Sequence, residues 1–355
     1  MGSTTTIAAL LQLVLENNAS DLHLIVGAPP YLRINGNLTA TNLAPLTPAD
    51  TKLMVESILT AEQRGLFEQH LELDFSYQFA ENSRFRVNAY TQRGTVAAAL
   101  RFIPNSILSI DELRLPQVFH DITKLHQGLV LITGPTGEGK STSLAAIIEE
   151  INQTRAEHIV TIEDPVEFIY SSTQSIISQR EIHYDTLNWN VALTSVLRED
   201  PDVVLIGELR DLETIAIALT IAETGHLVLA TLHTNSASQT VDRIIDVFPE
   251  HQQEQIRQQF AATIAAIFSQ RLVPTKKEGR VAAVEVLMAN AAVKNLIRER
   301  KSFQIDNVVQ MSAEQGMISL EASLINWVKA GVIDKEVARA YSLRVGEFDR
   351  LMKDS

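Results

Sequence analysis

The sequence predicts a mixed α/β protein in two parts, an amino-terminal α+β module and a larger parallel-sheet module that ends in helices. Three observations carry this. Four short, almost wholly apolar runs (Leu129–Thr133, Ile159–Ile162, Val203–Ile206 and Leu227–Thr231) are separated by loop and helix-like segments, the texture of a parallel sheet covered on both faces. Ahead of them, alternating runs are punctuated by Gly, Pro and Asn, as in antiparallel strands joined by turns. The length, 355 residues, exceeds the roughly 100–200 residues of one domain.

In the first module, Ile7, Leu10, Leu11, Val14 and Leu15 recur at helical spacing. Strand-like runs follow over Asp21–Val26 and Tyr31–Ile34, separated by Gly27-Ala28-Pro29-Pro30. Asn35-Gly36 then supplies a hairpin signal, because both residues tolerate positive φ. A second helix is predicted over Pro48–His70, with Thr47 as N-cap and Pro48 in the first turn. Phe85, Val87 and Ala89, then Val96, Ala98 and Leu100, alternate as two more strands. Ile103-Pro104-Asn105-Ser106 reads as a linker, dividing the chain into 1–104 and 105–355. Strand–loop–helix texture continues from Gly128 to His233. From Asp242 onward the expectation is mainly helix, ending in an amphipathic tail. No internal repeat or low-complexity tract is present.

Composition narrows the function classes. The formal net charge is −13, and a nucleic-acid surface needs cations against phosphates, so the balance points away from DNA or RNA as partner. The chain has no cysteine, which excludes disulfides and thiolate zinc sites and fits an intracellular setting. The amino terminus carries no cationic segment before its apolar residues and is not read as a secretory signal. Gly2 and Thr6 match the short myristoylation pattern, a match that recurs by chance. The most apolar stretch, Ile215–Leu232, is interrupted by Glu223-Thr224-Gly225-His226. It reads as helix, break and buried strand rather than a membrane span, so membrane association is expected to be peripheral.

Leu129–Thr133 runs directly into Gly134-Pro135-Thr136-Gly137-Glu138-Gly139-Lys140-Ser141. This is G-x-x-x-x-G-K-[ST] in the context it requires, after a buried strand and before a helix predicted from Thr142 to Ile151. Glycines let successive N–H groups turn inward as an anion nest, and the helix N-terminus adds positive potential. Lys140 is expected to reach the β/γ-phosphates of ATP and the Ser141 hydroxyl to ligate Mg²⁺. Glu138 would be repelled by phosphates and is expected to point outward, leaving only its N–H toward the ligand.

Hydrolysis also needs an acid to hold Mg²⁺ or orient water. Candidates follow two buried strands, where open parallel sheets bind ligands: Glu163 and Glu167 in Glu163-Asp164-Pro165-Val166-Glu167-Phe168, and Glu208 in Gly207-Glu208. His226 and His233 bracket the next strand and are ~20 Å apart if it is straight, which rules out a shared metal. His233, at the phosphate end, is placed to sense a γ-phosphate; His226 reads equally as a satisfied structural histidine.

Together these segments resemble the secretion-ATPase superfamily, which drives pilus dynamics and type II and type IV secretion, and within it the pilus-retraction ATPases. The resemblance spans nearly the whole chain. It includes Ser20-Asp21-Leu22-His23-Leu24, the phosphate loop, Thr161–Phe168, Leu197–Asp202, Gly207-Glu208-Leu209-Arg210-Asp211 and Ala222–His233. It implies a PAS-like first domain and a RecA-like ATPase domain with a helical carboxy-terminal part, assembled as a homo-hexamer. Glu167 matches the general base, Glu208 the Mg²⁺-associated acid, and His226 with His233 the family's His box. Gly134 to Thr142 hold nucleotide. Arg84, Arg86, Arg93 and Arg101 fall where the family supplies arginines to it; Arg84 and Arg86, two apart, would share one face of a strand. A cytoplasmic ring is implied, peripheral to the inner membrane, docked on a PilC-like platform protein and working beside a second retraction ATPase.

Departures exist. The retraction-associated Ala-Ile-Arg-Ser motif is approximated by Ala292-Val293-Lys294-Asn295, where Lys keeps the charge and loses the planar fork of Arg. Gln270-Arg271-Leu272-Val273-Pro274 and the tail near Phe348 resemble accessory retraction ATPases, which stay open as an alternative, with type II or type IV secretion ATPases behind. Pilus-extension ATPases, with an extra domain and a tetracysteine zinc module, do not fit a chain without cysteine.

Overall fold

The computed structural model describes residues 6–34, 36–80, 83–103, 107–277 and 279–353. Gly2, Asn35 and Pro104-Asn105-Ser106, invoked above for the myristoylation pattern, the hairpin and the linker, lie outside them. The chain divides into two units, Met1–Ser106 with Glu167–Ile169, and Ile107–Val166 with Tyr170–Ser355.

In the first unit, Thr6 caps α1 (Ile7–Glu16), its hydroxyl accepting the Ala9 N–H at 3.3 Å, and Ile7, Leu10, Leu11 and Val14 are buried. Strands β1 (Asp21–Leu24), β2 (Tyr31–Ile34) and β3 (Asn37–Ala40) follow, with Ile34 opposite Asn37 across the hairpin. The single helix expected over Pro48–His70 is two, α2 (Pro48–Glu56) and α3 (Ala61–His70). The break arises because Thr60 is itself an N-cap: its hydroxyl accepts the Gln63 N–H and the Gln63 side chain accepts the Thr60 N–H, a capping box. Thr47 and Pro48 open α2 as expected. Then come β4 (Glu72–Ala80), β5 (Ser83–Gln92) and β6 (Thr95–Ile103), completing an antiparallel six-stranded sheet of order β3-β2-β1-β6-β5-β4. Sequence reading passed over β3 and β4. Both are edge strands. β3 is exposed throughout and shows no core-facing alternation, whereas β4 alternates Leu73, Phe75, Tyr77 and Phe79 with polar residues, a strand signal that was present and passed over.

The second unit runs α4 (Val118–Ile122), β7 (Gly128–Thr133), α5 (Lys140–Thr154), β8 (His158–Glu163), β9 (Ile176–Glu181), α6 (Trp189–Val196), β10 (Val203–Ile206), α7 (Leu212–Glu223), β11 (Leu227–Leu232), α8 (Ala237–Asp246) and α9 (Glu250–Thr263). Every residue of β7, β10 and β11 is buried, as expected of central parallel strands. The mainly helical region expected after Asp242 is interrupted by the long strands β12 (Ile264–Pro274) and β13 (Arg280–Met288). The seven-stranded sheet has the order β13-β12-β7-β11-β10-β8-β9; β12 is parallel to β7 and antiparallel to β13. The period was hidden because Ala266 and Phe268 pack on one face of the sheet while Ile264 and Ile267 pack on the other. Buried on both sides and rich in Ala, the run shows no two-residue alternation.

Helices α10 (Ala291–Arg298), α11 (Ile305–Met311), α12 (Leu320–Lys329), α13 (Lys335–Tyr341) and α14 (Val345–Lys353) finish the chain. Leu320, Leu324, Ala338 and Phe348 pack on Val273, Val281 and Ala283 of β12 and β13. Beneath lies a charged core. Arg344 meets Glu285 at 3.2 Å, Asp306 at 2.6 Å, Glu321 at 3.3 Å and Glu347 at 3.2 Å. Burial pushes the Glu285 carboxyl up to about 7, with the Ala237 N–H and Arg344 offsetting part of the rise.

That makes stability pH-dependent. A carboxyl raised from its ordinary 4.5 to about 7 favours the fold fully below 4.5. The advantage falls away as pH rises through 7, a change on the order of 3 kcal/mol. Glu347, facing the same Arg344, is also raised by burial and adds in the same direction. Urea unfolding at pH 5 and pH 8 is expected to show the parent losing stability at the higher pH and Glu285→Gln losing much less. Among the described residues no helix is long and apolar enough to cross a membrane.

Candidate nucleotide site

Strands β7, β8, β10 and β11 run parallel in register, with Thr133 beside Leu232 and Ile206 beside both Ile162 and Ala230. Their carboxyl ends therefore open on one edge, where the loop Gly134–Gly139 leads into α5. Gly134 has φ 143°, and a Cβ there would lie 2.5 Å from the Gln270 carbonyl oxygen, so only glycine fits between β7 and β12. Gly137 and Gly139 also hold positive φ, at 84° and 78°, the left-handed turns that aim successive N–H groups at an anion. Pro135 and Thr136 form the tip, and Ser141 and Thr142 stand half-buried in the first turn of α5.

Lys140 is 8% exposed, and its ammonium donates to the carbonyls of Gly134 at 2.8 Å and Pro135 at 2.9 Å. It also stands 3.4 Å from His233 Nδ1. His233, just past β11, places Nε2 3.2 Å from Glu208 Oε1. The other Glu208 oxygen accepts Arg210 Nε at 2.9 Å, and Arg210 continues to Asp164 at 3.7 Å. Thus Lys140, His233 and Glu208, read from three separate segments, converge. At Gly207 a Cβ would meet the Glu163 Cα and the Ile162 carbonyl at 3.4 Å, a close but ordinary contact.

Other predicted residues are placed differently. Glu163 is buried and accepts the Thr161 hydroxyl at 2.7 Å. Glu167 lies exposed in the irregular segment after Pro165. His226 sits at the opposite end of β11, its Nδ1 3.1 Å from both the Ile221 carbonyl and the Thr224 hydroxyl; it satisfies the end of α7 and does not join His233. Among the described residues no cluster of His, Cys, Asp and Glu could hold a metal by itself.

Glu138 corrects an expectation. Its carboxylate does not point out to solvent but turns onto β12, accepting the Leu272 N–H and standing 3.8 Å from Arg271. The backbone of β12 offers a donor there, which a loop in water would lack. Sequence reasoning also passed over Arg210, Asn235 and Gln270 as functional candidates. Gln270 donates to the Glu138 carbonyl at 2.6 Å and accepts the Ser143 hydroxyl at 2.8 Å. Its signal was available in the Gln270–Pro274 segment.

The four arginines belong to the first unit. Arg84 and Arg86 share the less-buried face of β5, as the spacing predicted. Arg93 occupies the β5–β6 turn at φ 50°. Arg101 donates to Asp21 at 2.9 Å, and Arg33 lies 3.7 Å from the same carboxylate. Burial raises the Asp21 carboxyl, but the Ser20 hydroxyl and Arg101 outweigh it and hold it below its ordinary value.

Residues 3–335 match the family described as Type II/IV secretion system protein. The chain is 45% identical over 333 residues to the type IV pilus retraction ATPase PilT of Pseudomonas aeruginosa, covering 94% of this chain and 97% of that one. It is 38% identical over 345 residues to the type IV pilus ATPase PilU of the same organism, covering 97% and 90%. Among solved structures, the pilus retraction motor PilT with bound ADP superposes with a TM-score of 0.92 at 43% identity, covering 98% of this chain and 99% of that one. The agreement in sequence and fold runs from end to end, and the chain belongs to the Type II/IV secretion system protein family.

Proposed function

We propose that this chain is the ATP-hydrolysing motor subunit that drives type IV pilus retraction. The observation that carries the reading is the convergence of Lys140, His233 and Glu208 at the mouth of the glycine loop. The likeness to PilT along the whole chain supports the cargo. Bound ATP supplies the phosphoanhydride whose cleavage drives the motor. The loop N–H groups from Gly134 to Thr142 and the N-terminus of α5 hold its phosphates. Lys140 exchanges the loop carbonyls for β/γ oxygens and offsets their charge.

The donor set fits Mg²⁺. This ion keeps several waters and needs only one or two protein oxygens beside substrate phosphates, which Ser141 and Glu208 provide without a three-acid cluster. Glu167 takes a proton from the attacking water. Glu163 supports it from the end of β8. His233, held by Glu208 on one side and Lys140 on the other, senses the γ-phosphate, while His226 steadies the far end of the strand that carries it. Arg84, Arg86, Arg93 and Arg101 offset phosphate charge from the amino-terminal domain, assigned 1–104. The working form is a cytoplasmic homo-hexamer docked peripherally on a PilC-like inner-membrane platform, with no nucleic-acid partner.

Glu208→Ala is expected to lower steady-state phosphate release at least about 100-fold, with ADP affinity close to the parent value by fluorescence titration. Unchanged hydrolysis would sink the assignment. A second reading, an accessory retraction ATPase of the PilU type, draws on Ala292-Val293-Lys294-Asn295 on α10, where the Lys294 ammonium caps the Ala262 carbonyl at 3.1 Å. Deleting the gene separates them: retraction stops for a principal motor and weakens for an accessory one.

A further inference from the structure

The ladder that joins β7 to β11 ends at Thr133 and Leu232, yet Lys140, in the first turn of α5, and His233, on the loop before α8, lie beyond those ends. Beyond the 3.4 Å approach of Lys140 to His233, a further element spans these two segments. The neighbouring strand β12 does so with consecutive side chains. Arg271 donates from Nη2 to the Asn235 side-chain oxygen at 2.9 Å, two residues beyond His233. Its other terminal nitrogen, Nη1, stands 3.8 Å from Glu138 Oε1, two residues before Lys140. The second Glu138 oxygen takes the Leu272 N–H, and Gln270 holds the Glu138 carbonyl.

Both charged side chains of this bridge are largely withdrawn from water, Arg271 at 18% and Glu138 at 17% exposure. The geometry differs from that of an exposed ion pair, whose worth is small. A guanidinium is a planar fork that engages two acceptors at once, whereas an ammonium is a point charge on a flexible stem. The position therefore calls for arginine, and it explains a carboxylate inside a phosphate loop: Glu138 is the loop's handle on β12.

We propose that Arg271 is a positioning residue that couples the phosphate loop to the His233–Asn235 loop, through Glu138 on one side and Asn235 on the other. The inference rests on the hydrolytic reading of the site. Arg271 acts through its neighbours. It sets the separation of Lys140 from His233 and Glu208, so a change at the phosphates is carried from the loop to α8, which begins at Ala237.

The test is a double-mutant cycle in the full chain, reading kcat for ATP and the Kd for ADP. Arg271→Gln and Asn235→Ala are each expected to lower kcat about tenfold, with the Kd for ADP within about threefold. The double variant is expected to fall no further than the lower single one, because both cut the same link. Arg271→Lys is expected to resemble Arg271→Gln. Additive losses, about 100-fold in the double variant, overturn the coupling, as does a parent-like kcat in Arg271→Gln or Arg271→Lys. Equal losses of kcat and ADP affinity overturn it too, since they mark a general structural role. If Arg271→Gln does not fold, Glu138→Gln with Asn235→Ala completes the same cycle. A parent chain that does not hydrolyse ATP overturns both the coupling and the hydrolytic reading; a hydrolysing parent with an additive cycle overturns the coupling alone.

Discussion

Lys140→Ala is expected to lower kcat for ATP by on the order of 10²–10³-fold, as loss of one preorganised charge at a reacting group does. Unlike Glu208→Ala, it is also expected to weaken ADP binding. The reason lies in what the ammonium holds. It latches the Gly134 and Pro135 carbonyls at 2.8 and 2.9 Å, so alanine removes both the cation for the phosphates and the brace that shapes their cradle. Folding should be little affected, because a cation that is 8% exposed carries a desolvation cost that alanine relieves. Phosphate release at saturating ATP, with nucleotide titration beside it, is the measurement. A kcat within about threefold of the parent would remove Lys140 from the mechanism.

Arg344→Ala is the largest expected loss of stability, about 3–5 kcal/mol, because it strips the cation from buried carboxylates. Glu321 is 0% exposed and Glu285 2%; with Arg344 gone, neither keeps a cation from that side chain. The main chain shares the load. One Glu321 oxygen accepts the N–H groups of Leu343 and Arg344, at 3.1 and 2.9 Å, anchoring the turn that starts α14. The melting temperature is expected to drop by about 10 °C. Adding Glu285→Gln to Arg344→Ala should recover part of the loss by removing one uncompensated acid, and Arg344→Lys should recover only some, since one ammonium cannot span four carboxylates. An Arg344→Ala chain that melts with the parent would show the cluster to be slack.

The buried strands that carry the site were legible because their chemistry is local. Leu129–Thr133 followed by Gly134–Ser141 specifies strand, turn and helix within one stretch of chain, and β7 and α5 form there. Arg84 and Arg86 on one strand face are equally local, a consequence of two-residue alternation. The break between α2 and α3 was also written locally, in Thr60 and Gln63, but was masked by continuous helix-like composition on either side.

What the sequence determined by itself was the set of parts: an amino-terminal α+β module, a phosphate loop on a parallel sheet, acids after neighbouring strands, and membership of the family. Tertiary structure alone decided which parts meet. It joined His233 to Glu208 and turned Glu138 from solvent onto β12. It also assembled Arg344 with acids from β13, α11, α12 and α14. Motif chemistry depends on neighbours a few residues away. Strand order, and the partner a buried charge finds, depend on contacts between residues far apart in the chain, such as Glu138 with Leu272, which neither periodicity nor spacing encodes.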